Sequence, residues 1–233
     1  MMPTLLFVLL AGSVAAPMAA AEEPATRTFQ LNYGAVLKDI PENAQVRVWI
    51  PLAQDSPHQK VTIESRKIPG QAKRGKDATY GNQILYFEPT TSGDVSFNVT
   101  YQVTRREVQG LQQRDKQPLT AEEKELYLSA NELVPLEGKP RELIAHLSLS
   151  SDPLELGKQL YLRVDEHMKY DKSRPGYGNG DAVWACDSRF GNCTDFHSLF
   201  NSFARSAGLP ARFEIGFPLP PERGEGKIGG YHC

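Results

Sequence analysis

The chain has 233 residues, of which 40% are hydrophobic and 23% charged, and its 26 Lys and Arg residues nearly balance 28 Asp and Glu residues. This composition is typical of a folded globular protein, which argues against wholesale disorder and against a chain that crosses a membrane many times. A formal net charge of -2 offers no basic surface for nucleic acid. Because the chain has only 3 cysteines, a disulfide-dense scaffold is excluded.

The amino terminus has the pattern of a secretory signal peptide over residues 1–21, which carry no charged side chain. An apolar stretch from Leu5 to Ala16 is followed by Pro17 and then by three small residues that suit cleavage. A transmembrane anchor is the alternative, because the uncharged run approaches the roughly 20 residues that span a bilayer. We expect cleavage before Glu22 and export to the periplasm or the medium, with no integral membrane segment in the processed chain.

Residues 22–107 show the alternation of polar and apolar side chains that is typical of half-buried β-strands. The clearest strands are predicted at 28–33, 46–50 and 95–103, and shorter ones at 60–65 and 83–87. One wet face and one buried face per strand predict an antiparallel β-sandwich. No cluster of titratable residues stands out here, so we interpret this part as a supporting or presenting module.

The remainder is predicted to be mostly helical, which makes the fold class α+β. Residues 108–151 are interpreted as a connector with one short helix that opens at Thr120 with a capping box. In the domain formed by residues 152–233, Asp152 and Pro153 favour the start of a second helix, and apolar residues follow at helical spacing. A third helix is predicted at about 194–207, followed by a strand at 212–217.

Cys193 and His232 are the residues best placed for chemistry. Cys193 lies where the third helix begins, and the unpaired N–H groups of a helix start favour an anion such as a thiolate. Gly191 allows a tight turn and close approach of a substrate, and the Cys193 N–H would face an oxyanion formed at the sulfur. His232 follows a glycine-rich loop from which a base would face the thiol. A Cys–His pair of this kind is an activated nucleophile for acyl transfer.

Three segments resemble two motifs of the bacterial transglutaminase-like superfamily. The catalytic-helix motif is matched by GNCTDFHSLF at 191–200 with RSAGLPAR at 205–212, and the histidine motif by GYHC at 230–233. The resemblance covers about residues 152–233 and implies a papain-like fold with a Cys-His-Asp triad. Cys193 would be the nucleophile and His232 the general base and acid. The implied activity is hydrolysis or transamidation of proteins or peptides through a Cys thioester, without organic cofactor or metal.

The triad Asp of this family lies on the strand after the histidine, and the sequence has one residue after His232. We therefore expect an incomplete transglutaminase-like domain and favour a fragment of a longer active chain. The alternative is a catalytically inactive binding protein outside the cytoplasm, in which the β module does the work.

Several residues near the two motifs have alternative interpretations. His197 shares a helix face with Cys193, and we expect it to pack beside the thiol, the alternative being that it tunes the thiolate. Cys186 and Cys233 are candidates for a disulfide, although sequence does not establish their separation. A zinc site is a further alternative, since Cys193 and His197 at this spacing reach one ion. The remaining candidates for lining the cleft are Trp184, Asp187 and Arg189.

Overall fold

A computed structural model of the chain describes residues 24–90, 92–108, 118–219 and 224–233. The chain divides into two compact units, Met1–Asp115 and Lys116–Cys233, each with its own hydrophobic core. The predicted signal peptide lies outside the described residues. None of the helices in the described ranges has the length and apolarity needed to cross a membrane.

The first unit contains six strands, and both of its sheets are antiparallel. In one sheet β6 lies between β1 and β3, and in the other β5 lies between β2 and β4. Their bounds are β1 Thr26–Ile40, β2 Val48–Pro51, β3 Gln59–Lys67, β4 Ala72–Lys76, β5 Gln83–Phe87 and β6 Gly93–Arg106.

The predicted β-sandwich is confirmed, because the inward faces of both sheets contribute to one core. Leu85 and Phe87 of β5 are fully buried in the same cluster as Val99 and Tyr101 of β6. Strand β4 was not predicted, because all its residues are exposed and its sequence AKRGK shows no alternation of polar and apolar residues.

The second unit is built on five helices, α1 Ala121–Leu128, α2 Lys139–Ile144, α3 Pro153–His167, α4 Ala182–Ser188 and α5 Cys193–Ser206. Two short strands, β7 Lys169–Tyr170 and β8 Phe190–Gly191, form a parallel pair in front of α5. Helices α2, α3 and α4 pack against α5, so α5 forms the centre of the unit. Its Leu199, Phe203 and Ala204 are completely buried.

Local signals in the sequence placed α3 and α5 to within a residue or two. The Asp152 carboxylate accepts hydrogen bonds from the Leu154 and Glu155 amides, both at 3.0 Å, and so caps the start of α3. Leu156, Leu160 and Val164 are the buried face of that helix, as the periodicity predicts. Helix α5 carries residues of the site described below, and α3 packs against it.

Two segments differ from the sequence-based expectation. The stretch interpreted as a connector contains the predicted short helix, α1, and also the unpredicted helix α2. Ile144 of α2 belongs to the core and is only 2% exposed. Helix α2 has six residues, which is too short for a periodic pattern to be recognised. The strand predicted at 212–217 is absent from the structure, because only Gly216 pairs there, through a single antiparallel bridge to His232.

Candidate active site

Cys193 is the first residue of α5 and is 7% exposed. Asn192 is the N-cap in an extended conformation, and its side-chain oxygen accepts a hydrogen bond from the Thr194 amide at 2.9 Å. The strand β8 leads directly into this cap. The thiol therefore lies at the positive end of the α5 dipole.

Asp195, two residues after the thiol, is a fully buried carboxylate with three backbone donors. One oxygen accepts hydrogen bonds from the Asn192 amide at 2.9 Å and from the Gly178 amide at 2.8 Å. The other oxygen accepts from the Gly180 amide at 3.3 Å. The sequence analysis did not assign Asp195 a role, although an Asn at the N-cap with an Asp three residues later is a capping-box pattern.

Gly191 is required by packing against Asp195. A Cβ placed on Gly191 would lie 2.5 Å from the Asp195 carboxylate, a distance that no side chain tolerates. Gly191 lies in strand β8 and not in a turn, so the predicted tight turn is wrong, and glycine is needed here because the strand backbone passes against the buried carboxylate. Any other residue here would displace Asp195 or the segment that precedes Cys193.

His232 is held by a pair of backbone hydrogen bonds with Gly216, each 2.9 Å long, and its side chain is exposed. His232 lies near His197 of α5. Burial first, and then the nearby His232, lower the pKa of His197. His197 lies one helical turn after Cys193 on the same face. Within the described ranges the structure records no hydrogen bond between His232 and Cys193.

Cys233, the neighbour of His232, is the residue whose side chain lies beside Cys193. Burial and then a hydrogen bond with Cys193 raise the pKa of the Cys233 thiol to about 11. The Thr194 hydroxyl lies 3.8 Å from the Cys233 sulfur and 3.3 Å from the Tyr231 hydroxyl. The structure therefore brings the segment 231–233 to the start of α5.

All three cysteines are free, so the candidate pair Cys186–Cys233 is not a disulfide in this structure. Cys186 belongs to the core cluster of the second unit, and burial raises the pKa of its thiol to about 12. Its environment is thus that of a structural thiol rather than a nucleophile.

The other candidate lining residues have structural partners. Asp187 forms an ion pair with Lys139 at 2.6 Å, and Arg189 ends α4 in a left-handed conformation. Trp184 packs edge-on against Phe190 with ring centroids 5.2 Å apart. Trp184 also contacts the loop before α4, since a Cβ on Gly176 would lie 3.1 Å from its ring.

The zinc alternative gains no support from the described residues, where no group of three His, Cys, Asp or Glu side chains is arranged to hold a metal ion. His197 instead faces the ring of Phe213 at 6.3 Å between centroids.

Comparison with known proteins agrees with this geometry. Residues 141–233 match the family model of the transglutaminase-like superfamily. An uncharacterized protein of Haemophilus influenzae is 25% identical over 195 residues, which are 78% of this chain and 53% of the relative. The chain therefore spans about half the length of this curated relative.

One solved structure shows the same fold. The crystal structure of a candidate cysteine protease from Cytophaga hutchinsonii superposes with a TM-score of 0.57 at 14% identity, covering 83% of this chain and 69% of the other. The periplasmic domain of TgpA from Pseudomonas aeruginosa superposes less well, with a TM-score of 0.38 at 16% identity. That superposition covers 90% of this chain and 62% of the other. The second unit has the α+β, papain-like fold of transglutaminase-like proteins. The match to the family model and the shared fold support a transglutaminase-like assignment for residues 141–233.

Proposed function

We propose that the protein is an exported cysteine enzyme that transfers acyl groups from protein or peptide substrates through a thioester on Cys193. The observation that carries the proposal is the placement of Cys193 at the first residue of α5, on a helix whose other side is the core of the unit. Such a position combines a favoured thiolate with a rigid support, and both are properties of catalytic cysteines.

The reaction proceeds in two steps. His232 takes the proton of the Cys193 thiol as the sulfur attacks the carbonyl carbon of an amide, and the carbonyl electron pair moves onto oxygen beside the Cys193 backbone amide. The tetrahedral intermediate collapses to a thioester when the C–N bond breaks and His232 gives a proton to the departing amine. Water or a second amine then attacks the thioester and releases the thiol, which gives hydrolysis or transamidation respectively.

His232 is proposed as base and acid because its neighbours Tyr231 and Cys233 contact Thr194 at the start of α5. Its charge acts on His197, one turn from Cys193. The orienting carboxylate is proposed to come from a strand that follows His232 in a longer chain, as the family resemblance implies. Reading the coding DNA beyond the codon for Cys233 tests this, since an open frame that encodes a strand with an Asp supports it and an immediate stop codon contradicts it.

The substitution Cys193→Ser tests the nucleophile. Turnover, measured as ammonia release or incorporation of a fluorescent primary amine into a glutamine-containing peptide, should fall by about 10³-fold or more, because a serine hydroxyl is a poor nucleophile without its own activation. Cys186→Ser is the matched control, since it removes a buried thiol of the core and should retain turnover.

Retained turnover in Cys193→Ser would exclude Cys193 as the nucleophile. No turnover by the longest encoded chain, together with unchanged binding of a ligand by Cys193→Ala, would instead favour the alternative of a non-enzymatic binding protein. Export is tested separately, since the secreted or periplasmic form should begin at Glu22.

A further inference from the structure

We propose that Asp195 is a positioning residue that fastens the glycine loop, residues 176–180, beside Cys193 so that the loop backbone forms one wall of the substrate cleft. The proposal rests on the proposed function, because it takes Cys193 as the nucleophile. It assigns a role to a buried carboxylate that the reaction itself does not use.

The hydrogen bonds of Asp195 exceed what a helix cap requires. Its bond from the Asn192 amide completes the capping box of α5. Its bonds from the Gly178 and Gly180 amides reach residues that are 17 and 15 positions earlier in the chain. A carboxylate that only capped the helix would have no reason to be buried against a distant loop, and burial of a charged group is costly unless its partners are in place.

The glycine loop lies directly over the residues on either side of Cys193. A Cβ on Gly178 would be 3.2 Å from the Asn192 side-chain nitrogen, and a Cβ on Gly180 would be 3.2 Å from the Thr194 methyl group. Both glycines have positive φ angles, 91° and 70°, which other residues rarely adopt. The loop backbone therefore approaches the start of α5 as closely as packing allows.

The residues next to the anchored amides are open to solvent. Tyr177 and Asn179 are exposed, whereas Gly178 and Gly180 are partly buried. Trp184 supports the other end of the loop at Gly176. A substrate that reaches Cys193 would thus contact a loop whose backbone position is fixed by the Asp195 carboxylate.

Amide hydrogen exchange of the unmodified chain, followed by NMR, is the first test. The Gly178 and Gly180 amides should exchange at least about 10-fold more slowly than those of Tyr177 and Asn179, because only the former donate to Asp195. Equal exchange of all four amides would overturn the proposal, and this measurement does not depend on the folding of any variant.

The substitution Asp195→Asn is the second test, with Asp181→Asn as the matched control. Asp181 caps α4 next to the same loop, and Asn is an equally good N-cap. In Asp195→Asn the Gly178 and Gly180 amides should lose protection while those of Leu199 and Phe203 keep it. The rate of Cys193 alkylation by a bulky maleimide, relative to iodoacetamide, should rise by about 10-fold, since a released wall admits larger reagents.

An unchanged ratio of alkylation rates in a folded Asp195→Asn variant would show that Asp195 only caps α5 and does not position the loop. Where turnover is measurable, Asp195→Asn should also raise KM more than it lowers kcat, whereas a loss confined to kcat would contradict a wall that positions substrate. Absence of turnover in the unmodified chain would contradict the proposed function and leave the exchange and alkylation results to decide the role of Asp195.

Discussion

The three cysteines share one short region of the chain but differ in the state of their thiols. Burial raises the pKa of Cys186 to about 12, and burial together with Cys193 raises that of Cys233 to about 11. Neither thiol therefore ionises appreciably near neutrality, and thiols react as thiolates. Cys193 is distinguished by its place at the start of α5.

We expect iodoacetamide at neutral pH to label Cys193 faster than either other cysteine, by at least about 10-fold, because the helix start favours the thiolate there. Peptide mapping by mass spectrometry after brief labelling measures the three rates in one sample. In Cys193→Ala the fast phase should disappear while slow labelling of Cys186 and Cys233 remains. Equal labelling of Cys186 and Cys193 would contradict the assigned environments.

Cys193 and His232 could be predicted as candidate catalytic residues because each lies in a short, local sequence motif. The contacts of Asp195 were not predicted, because nothing near Asp195 in sequence shows that the Gly178 and Gly180 amides will face it. The requirement for glycine at 191 was foreseen, but its cause, the adjacent carboxylate, became visible only in the structure.

At the scale of elements, helix caps differ in how strongly they are linked to the core. Thr120 and Asp152 both cap helices with side-chain hydrogen bonds. Helix α1 buries none of its residues, whereas α3 buries Leu156, Leu160 and Val164. Fraying of α1 therefore costs little tertiary structure, and fraying of α3 exposes part of the core.

Asp152→Ala should lower the free energy of unfolding of the second unit by about 1 kcal/mol, since it removes a cap from a helix that is packed into the core. Thr120→Ala should change it much less. Urea unfolding followed by the fluorescence of Trp184, in a Trp49→Phe background that removes the other tryptophan, measures both variants. Equal losses would show that α1 is coupled to the core as tightly as α3.

The elements that sequence analysis missed are short or wholly exposed. Helices α2 and α4 have six and seven residues, fewer than two turns, so no amphipathic period develops in them. Strand β4 is an exposed edge strand without alternation. The strand predicted at 212–217 has the right alternation but finds only one backbone pairing, at Gly216.

At the scale of the whole molecule, two partly buried histidines make stability depend on pH. Burial lowers the pKa of His167 despite its ring contact with the Cys186 carbonyl at 2.9 Å, and it lowers the pKa of His197 as well. Below the ordinary histidine value of 6.5, the unfolded chain therefore binds more protons than the folded chain. The stability that these groups contribute is complete above that pH and is lost as the pH falls.

Urea unfolding of the second unit should thus show a falling free energy between about pH 7.5 and pH 5. His167→Gln should make this decline shallower, because the amide does not titrate and still donates to the Cys186 carbonyl. His146→Gln, at an exposed histidine of the same unit, is the control and should leave the decline unchanged. A steeper decline in His167→Gln would contradict the assigned direction.

Alternation, capping residues and helical periodicity depend on neighbours within a few positions, and they suffice to predict the sandwich strands, α3, α5 and the thiol at the start of α5. The wall beside Cys193 depends on amides 15 and 17 residues from Asp195. The approach of the segment 231–233 to α5 joins residues still farther apart, as the contact of Tyr231 with Thr194 shows. Such contacts arise only when the core brings distant segments together, because no short-range preference of the chain encodes their separation.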